Sequence, residues 1–196
     1  MAVINMFSIR ATLLAVLIAF STSALAQDNK NSIVVLHTSM GDITIKLYDE
    51  KSPITVANFL GYAKSGFYDG TIFHRVIKRF AVQGGGFTEH LEEKPNGDPI
   101  VNEAKTSGLR NDRWTVAMAR TDDPNSARSQ FFINMRMNLD LDARAGKDGY
   151  AVFGEVIDGE FVAREIANSK THSYGGFDDL PVEPIFINSV TVKTAE

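Results

Sequence analysis

The sequence predicts a mainly β fold, a closed antiparallel β-barrel of about eight strands capped by two α-helices. Three observations lead there. Short runs rich in β-branched and aromatic residues recur between residues 33 and 192, each of strand length. Only two segments carry apolar residues at helical spacing, and they stand far apart in the chain. Strands and helices do not alternate as βαβ units would require, so closure of an antiparallel sheet accounts for the pattern better than a doubly wound fold.

The elements follow in order. Residues 33–38 and 43–48 alternate in polarity around Ser39-Met40-Gly41-Asp42, which reads as a hairpin turning at the Gly-Asp pair. Ser52-Pro53 opens a helix with a hydroxyl N-cap and proline in the first turn. Val56, Phe59, Leu60 and Ala63 form its apolar stripe, and Gly66 ends it. Residues 72–77 and 80–83 read as strands joined by a tight bend at Lys78-Arg79. Residues 88–113, with Pro95, Asn96, Gly97 and Pro99, read as a long irregular loop, a feature that is commonly functional or disordered. Strands are expected at 115–119, 130–135, 150–156 and 185–192. A short helix is expected over 158–168, with Phe161, Val162, Glu165 and Ile166 at helical spacing.

Composition narrows the chemistry. The 196 residues carry a net charge of −4 and no cysteine. A mildly acidic chain without a basic cluster argues against nucleic acid and against stable association with anionic membranes. Absence of cysteine removes thiolate catalysis, iron–sulfur clusters and cysteine zinc sites. His37, His74, His90 and His172 lack ligand spacing, so neither a metal nor a cofactor is expected. Residues 1–26 combine Arg10, an apolar run over 11–20 and a small-residue ending, Ala24-Leu25-Ala26. The apolar run is about half the length of a membrane span. The pattern is that of a signal peptide cleaved after Ala26, followed by a flexible leader over 27–32 and one domain over 33–196.

Two stretches carry the functional signal. Phe73-His74-Arg75-Val76-Ile77-Lys78-Arg79-Phe80-Ala81-Val82-Gln83-Gly84-Gly85-Gly86-Phe87 places an arginine, a phenylalanine and a glutamine on two adjoining strands. Ser129-Gln130-Phe131-Phe132-Ile133-Asn134 sets a glutamine and a phenylalanine two residues apart. Alternation puts Gln130 and Phe132 on one strand face and Phe131 and Ile133 on the other, so Phe132 reads as pocket and Phe131 as core. A permanently charged donor beside apolar, amide-lined walls suits a ligand that is greasy yet full of peptide groups, such as proline within a polypeptide.

These stretches, with Val116-Ala117-Met118-Ala119-Arg120 and Tyr150-Ala151-Val152-Phe153-Gly154-Glu155-Val156, resemble the cyclophilin-type peptidyl-prolyl cis-trans isomerases, closest to their exported bacterial branch. The likeness runs from the first hairpin to the last strand. It implies an eight-stranded barrel with a helix at each end, isomerisation of X-Pro bonds, proline-containing polypeptides as partners, a periplasmic location and a role in folding exported proteins. It makes Arg75, Phe80 and Gln83 catalytic, and His74, Ile77, Ala81, Ala119, Arg120, Gln130, Phe132, Leu141 and Tyr150 substrate-binding. Three residues depart from the family pattern. Ala81 replaces a common methionine, Asp140 stands where an aromatic associated with tight cyclosporin binding is usual, and Trp114 stands where glycine is common.

Other readings are weaker. Gly84-Gly85-Gly86 lacks the Lys-Ser/Thr sequel of a phosphate loop. Ser129, His74 and Asp122 can be assembled on paper as a hydrolytic triad, but no nucleophile elbow surrounds any serine. A proline-peptide binding module or holdase is the alternative to an enzyme, although a pure binder need not keep the arginine–phenylalanine–glutamine set. Nothing in the sequence demands more than a monomer.

Overall fold

The computed structural model describes residues 31–193. The expected signal peptide at 1–26 and the first part of the leader lie outside the described residues. Among the described residues, ten strands and three short α-helices form: β1 (Ile33–Thr38), β2 (Gly41–Leu47), α1 (Pro53–Lys64), β3 (Thr71–Ile77), β4 (Ala81–Gly84), α2 (Ala104–Ser107), β5 (Thr115–Met118), β6 (Phe131–Asn134), β7 (Val152–Asp158), α3 (Glu160–Ala167), β8 (Thr171–Tyr174), β9 (Phe177–Pro181) and β10 (Phe186–Lys193). Eight strands close a barrel in the order β1-β10-β3-β4-β6-β5-β7-β2, and β8 with β9 makes a separate hairpin. All barrel pairings are antiparallel. The expected barrel is therefore present.

Closure gives each strand one dry face. Val34, Leu36, Ile43, Ile45, Leu47, Phe73, Val82, Val116, Phe131, Ile133 and Phe153 fill the interior at every second position, the spacing that a pleated strand imposes. The two longer helices close opposite ends. In the β2–β7 pair, Leu47 lies opposite Gly154 and Thr44 opposite Asp158, so α1 leaves the barrel at one end and α3 at the other. Phe59 of α1 reaches Phe131, Phe153 and Tyr68 with ring centroids 5.5, 5.1 and 5.2 Å away. Helix α1 buries Thr55, Val56, Phe59 and Ala63, while Leu60 is only half-buried. Helix α3 differs more from expectation. Its inward face is Ala163, Ile166 and Ala167, and Phe161 is 68% exposed. Small residues let this short helix sit close to the barrel, as at Gly41, where an added Cβ would lie 2.9 Å from Val162 Cγ2.

Local details also correct the sequence reading. The first hairpin turns at Ser39-Met40, because Thr38 pairs with Gly41. The Thr38 hydroxyl donates to the Gly41 carbonyl at 2.6 Å. Phe80 belongs to the β3–β4 turn rather than to β4, and Arg79 takes a left-handed φ of 61° there. Trp114 carries a φ of 74°, the conformation that glycine adopts freely, which explains why a glycine suits this position. Its half-buried ring packs on the barrel core with Arg113 stacked 4.6 Å from its centre. The loop over 88–113 contains α2 and isolated bridges, and the β8–β9 hairpin was not expected.

Ser52 occupies the N-cap position of α1 but does not cap it with its side chain. Its hydroxyl donates instead to the Val152 carbonyl at 2.7 Å. The cap comes from Glu103, whose buried carboxylate accepts from the Ile54 N–H (3.1 Å), the Thr55 N–H (2.7 Å) and the Thr55 hydroxyl (2.6 Å). An anion at a helix N-terminus answers both the orphaned donors and the macrodipole. Glu103→Ala is expected to cost at least about 2 kcal/mol of stability, read from the urea midpoint at unchanged slope.

Candidate active site

The site lies on the outer face of the barrel and is a product of register. Across β3, β4, β6, β5 and β7, Arg75 sits opposite Gln83, Gln83 opposite Phe132, Phe132 opposite Ala117, and Ala117 opposite Val152. The cross-strand row thus runs from a cation through an amide to an aromatic ring, then to two small or branched apolar residues. Ala81, Ala117, Phe132 and Val152 form an apolar cluster separate from the barrel core, bordered by Phe80, Ala119, Leu141 and Tyr150. Phe131 is fully buried in the interior cluster and Phe132 belongs to the outer one, as alternation predicts.

This row floors a hollow of about 130 Å³ lined by Arg75, Phe80, Ala81, Gln83, Ala119, Arg120, Phe132, Leu141 and Tyr150. Its scale suits one small ring rather than a drug-sized ligand. Every lining residue is one that the sequence singled out. A second hollow of about 380 Å³ shares Gln83, Ala119 and Arg120 and adds Gln130, Glu93, Asn96 and Arg128. Together they form a groove with a narrow and a wide compartment. Ile77, half-buried opposite Ala81, lines neither hollow, and His74 lies behind Gln83.

The walls are held individually. Tyr150 meets Phe132 edge-on at 5.7 Å. The Arg120 guanidinium lies 4.5 Å over the Tyr150 ring, and its Nε and Nη1 donate to the Gly149 and Thr121 carbonyls at 3.0 and 2.7 Å. Leu141 ends a single 3-10 turn over Leu139–Leu141, and its carbonyl accepts from the Tyr150 N–H at 2.9 Å. Asp140 faces solvent, 91% exposed, with Arg144 3.3 Å away. Neither it nor Leu139 lines the hollow, so no aromatic stands on this side of the rim. Arg75 is exposed at the rim, and among the described residues no carboxylate pairs with it.

The amides form a second layer. Gln83 Nε2 donates to Gln130 Oε1 at 3.0 Å and approaches His74 Nε2 at 3.4 Å. Close packing dictates the glycine run beside them. A Cβ on Gly86 would fall 2.5 Å from Gln130 Cγ, and one on Gly84 2.8 Å from Phe73 Cδ1, whereas Gly85 alone needs a positive φ of 83°. The paper triad does not assemble. The Ser129 hydroxyl donates to Asn96 at 2.6 Å, and the imidazole of His74 faces Gln83.

A set of residues that sequence reasoning passed over lies beneath the hollow. Asn111, Asn134 and Asn138 are buried and bonded to one another. The only local signal was an asparagine within a strand of apolar residues at Asn134, where an amide is disfavoured unless satisfied.

With this geometry in place, comparison with known proteins identifies the fold and its activity. The model of the family described as cyclophilin type peptidyl-prolyl cis-trans isomerase/CLD matches residues 33–192. A peptidyl-prolyl cis-trans isomerase of Acinetobacter baylyi is 50% identical over 164 residues, covering 84% of this chain and 87% of that protein. Peptidyl-prolyl cis-trans isomerase B of Escherichia coli is 49% identical over 165 residues, covering 82% and 99%. A Cryptosporidium parvum cyclophilin-type isomerase, solved in the presence of the dipeptide Ala-Pro, superposes with a TM-score of 0.69 at 28% identity, covering 83% of this chain and 99% of that one. The chain belongs to the cyclophilin-type peptidyl-prolyl cis-trans isomerases. Its activity is rotation about the peptide bond that precedes proline.

Burial of His74 has a measurable consequence. The ring is wedged edge-on against Phe87 at 4.7 Å. Burial pushes its pKa from 6.5 down to about 4, and the Arg75 charge acts in the same direction. Between those values the unfolded chain binds a proton that the folded chain refuses, so stability falls as pH drops through the window. The contribution reaches about 3 kcal/mol near pH 4. Denaturant titrations between pH 7 and pH 4 are expected to show a steeper loss for the wild type than for His74→Gln.

Proposed function

We propose that Arg75, Phe80 and Gln83 carry catalysis, and that the narrow hollow receives the proline ring of a polypeptide while the wider one holds the residues before it. The observation that carries this reading is the unpaired Arg75 at the rim of a hollow walled by Phe80, Phe132 and Leu141.

The chemistry needs little else. Rotation about an X-Pro amide faces a barrier of roughly 18–20 kcal/mol, while cis and trans differ by only about 0.5–1 kcal/mol. A catalyst must favour the twisted amide over both planar forms. Twisting ends resonance, so the proline nitrogen becomes pyramidal and offers a lone pair. The guanidinium of Arg75 stays protonated and donates to that lone pair. Phe80, Phe132 and Leu141 grip the ring and exclude water, which strengthens the bond. Gln83 commits its amide hydrogens toward Gln130 and His74, leaving its carbonyl oxygen as an acceptor for a substrate N–H. Gln130 keeps its amide hydrogens for a substrate carbonyl. With Ala81, Ala119, Arg120 and Tyr150 framing the groove, one side of the bond is held while the other turns. An acceleration of roughly 10⁵-fold requires about 7 kcal/mol of differential stabilisation, within reach of one desolvated charged hydrogen bond plus positioning. The Ala-Pro dipeptide used with the Cryptosporidium parvum relative is the same class of ligand.

The cellular role follows from the leader. The apolar run and the Ala24-Leu25-Ala26 ending support export, cleavage after Ala26 and service to folding polypeptides in the periplasm.

Two outcomes test these assignments. Arg75→Ala is expected to lower kcat/KM in a proline-limited refolding assay by about 10²–10³-fold with an unchanged urea midpoint, because the side chain is exposed. A near-normal rate would remove the arginine from the mechanism. Mass spectrometry of the protein isolated from cells of its own organism is expected to find Gln27 as the first residue, and retention of Met1 would sink the export reading.

A further inference from the structure

We propose that Asn111, Asn134 and Asn138 form a directional chain of side-chain amides that sets the width of the proline hollow, and so act as positioning residues for isomerisation. The inference rests on the reading of Phe80 and Leu141 as ring walls.

Asn111 and Asn134 are fully buried and Asn138 is 3% exposed. They come from three separate segments: the loop before β5, the end of β6, and the turn that leads to Leu139–Leu141. Asn138 Nδ2 donates to the Phe80 carbonyl at 3.0 Å and to Asn134 Oδ1 at 2.7 Å. Asn134 Nδ2 donates to Asn111 Oδ1 at 3.2 Å. Asn111 Nδ2 donates to the Leu141 carbonyl at 3.0 Å. The chain therefore begins on one apolar wall and ends on another.

Each link is locked from outside. Asn134 also donates to the Thr115 hydroxyl at 3.0 Å. The Asn111 N–H donates to Asp142 Oδ1 at 2.7 Å. Asn138 Oδ1 accepts from Arg136 Nε at 2.9 Å. Reversing any amide would face oxygen against oxygen, so the chain has one favourable direction, and aligned amides polarise one another. Burying three amides is unfavourable against a well-packed apolar alternative of the same volume. What the apolar alternative lacks is a grip on backbone carbonyls. Phe80 stands in a turn and Leu141 in a single 3-10 turn, and each carbonyl accepts a backbone N–H, from Met135 and Tyr150, at 2.9 Å. The amide chain adds a second donor to each carbonyl and is what ties the two walls to one another.

The test uses two peptides, one with proline and one with its six-membered homologue pipecolic acid, and compares kcat/KM in wild type, Asn134→Ala and Asn138→Ser. Loosened walls are expected to lower the prolyl rate by about tenfold to a hundredfold, the scale that follows a displacement of about 1 Å. The prolyl-to-pipecolyl preference is expected to fall at least about threefold, because a wider hollow accepts the larger ring. Ile45→Val, in the barrel core, lowers stability without touching the hollow and is expected to leave both rate and preference unchanged. An unchanged preference in the folded asparagine variants would overturn the proposal, whatever the rates. Where Asn134→Ala does not fold, Asn138→Ser, which acts at the Phe80 end, decides by the same ratio. A wild type inactive on the prolyl peptide would instead overturn the reading of the hollow itself.

Discussion

Closure of the barrel is the constraint on which the rest depends. A closed sheet has no edge from which a strand can slip, and its side chains alternate strictly between a dry interior and the outer face. Slippage of β6 by one residue would turn Phe131 out and Phe132 in, exchanging core for pocket. The observed register instead aligns Arg75, Gln83, Phe132, Ala117 and Val152 as one outer row. The interior aromatics Phe59, Phe131 and Phe153 make that register costly to change, since each is fully buried. The packing inside the barrel and the make-up of the hollow outside it are thus set by the same pairings.

The floor of the hollow is a matter of size. Ala81 and Ala117 are the small members of the outer cluster, and around them stand Phe80, Phe132, Leu141 and Tyr150. Where the family commonly has a methionine, Ala81 leaves more room beside Phe80. The rim lacks an aromatic at Asp140, whose carboxylate turns to Arg144. The apolar surface at this edge is therefore that of Leu141 and Tyr150.

Polar groups around the site are held by burial and close approach rather than by charge. His74 is kept neutral by its surroundings, which leaves Arg75 as the cation of the narrow hollow together with the self-tethered Arg120. Gly86 admits Gln130 so closely that a methyl group would displace it. Isomerisation breaks no bond and moves no proton along the chain, so a site of this kind needs rigid placement of a few donors more than it needs a reactive group. The three buried asparagines fit the same logic, since they donate to backbone carbonyls and line neither hollow.

Much of this was legible in the sequence. The eight barrel strands and the two longer helices follow from alternation and turn chemistry, and the residues that line the narrow hollow were named through the family resemblance carried by four ordered motifs. Those signals are local, reaching only as far as a strand or a helical turn. Other features were decided only by the tertiary structure. The cap on α1 comes from Glu103, 49 residues from its partner Ile54. Asn138 grips the carbonyl of Phe80 across 58 residues. The β8–β9 hairpin carries four exposed residues along β8 and so lacks the apolar alternation that marks a strand. Side-chain periodicity by itself determined which residues of the barrel strands face which side, though not the inward face of α3. Which distant polar atoms satisfy one another was settled only when closure of the barrel brought those segments together, because a buried donor takes whatever acceptor the fold places within about 3 Å of it.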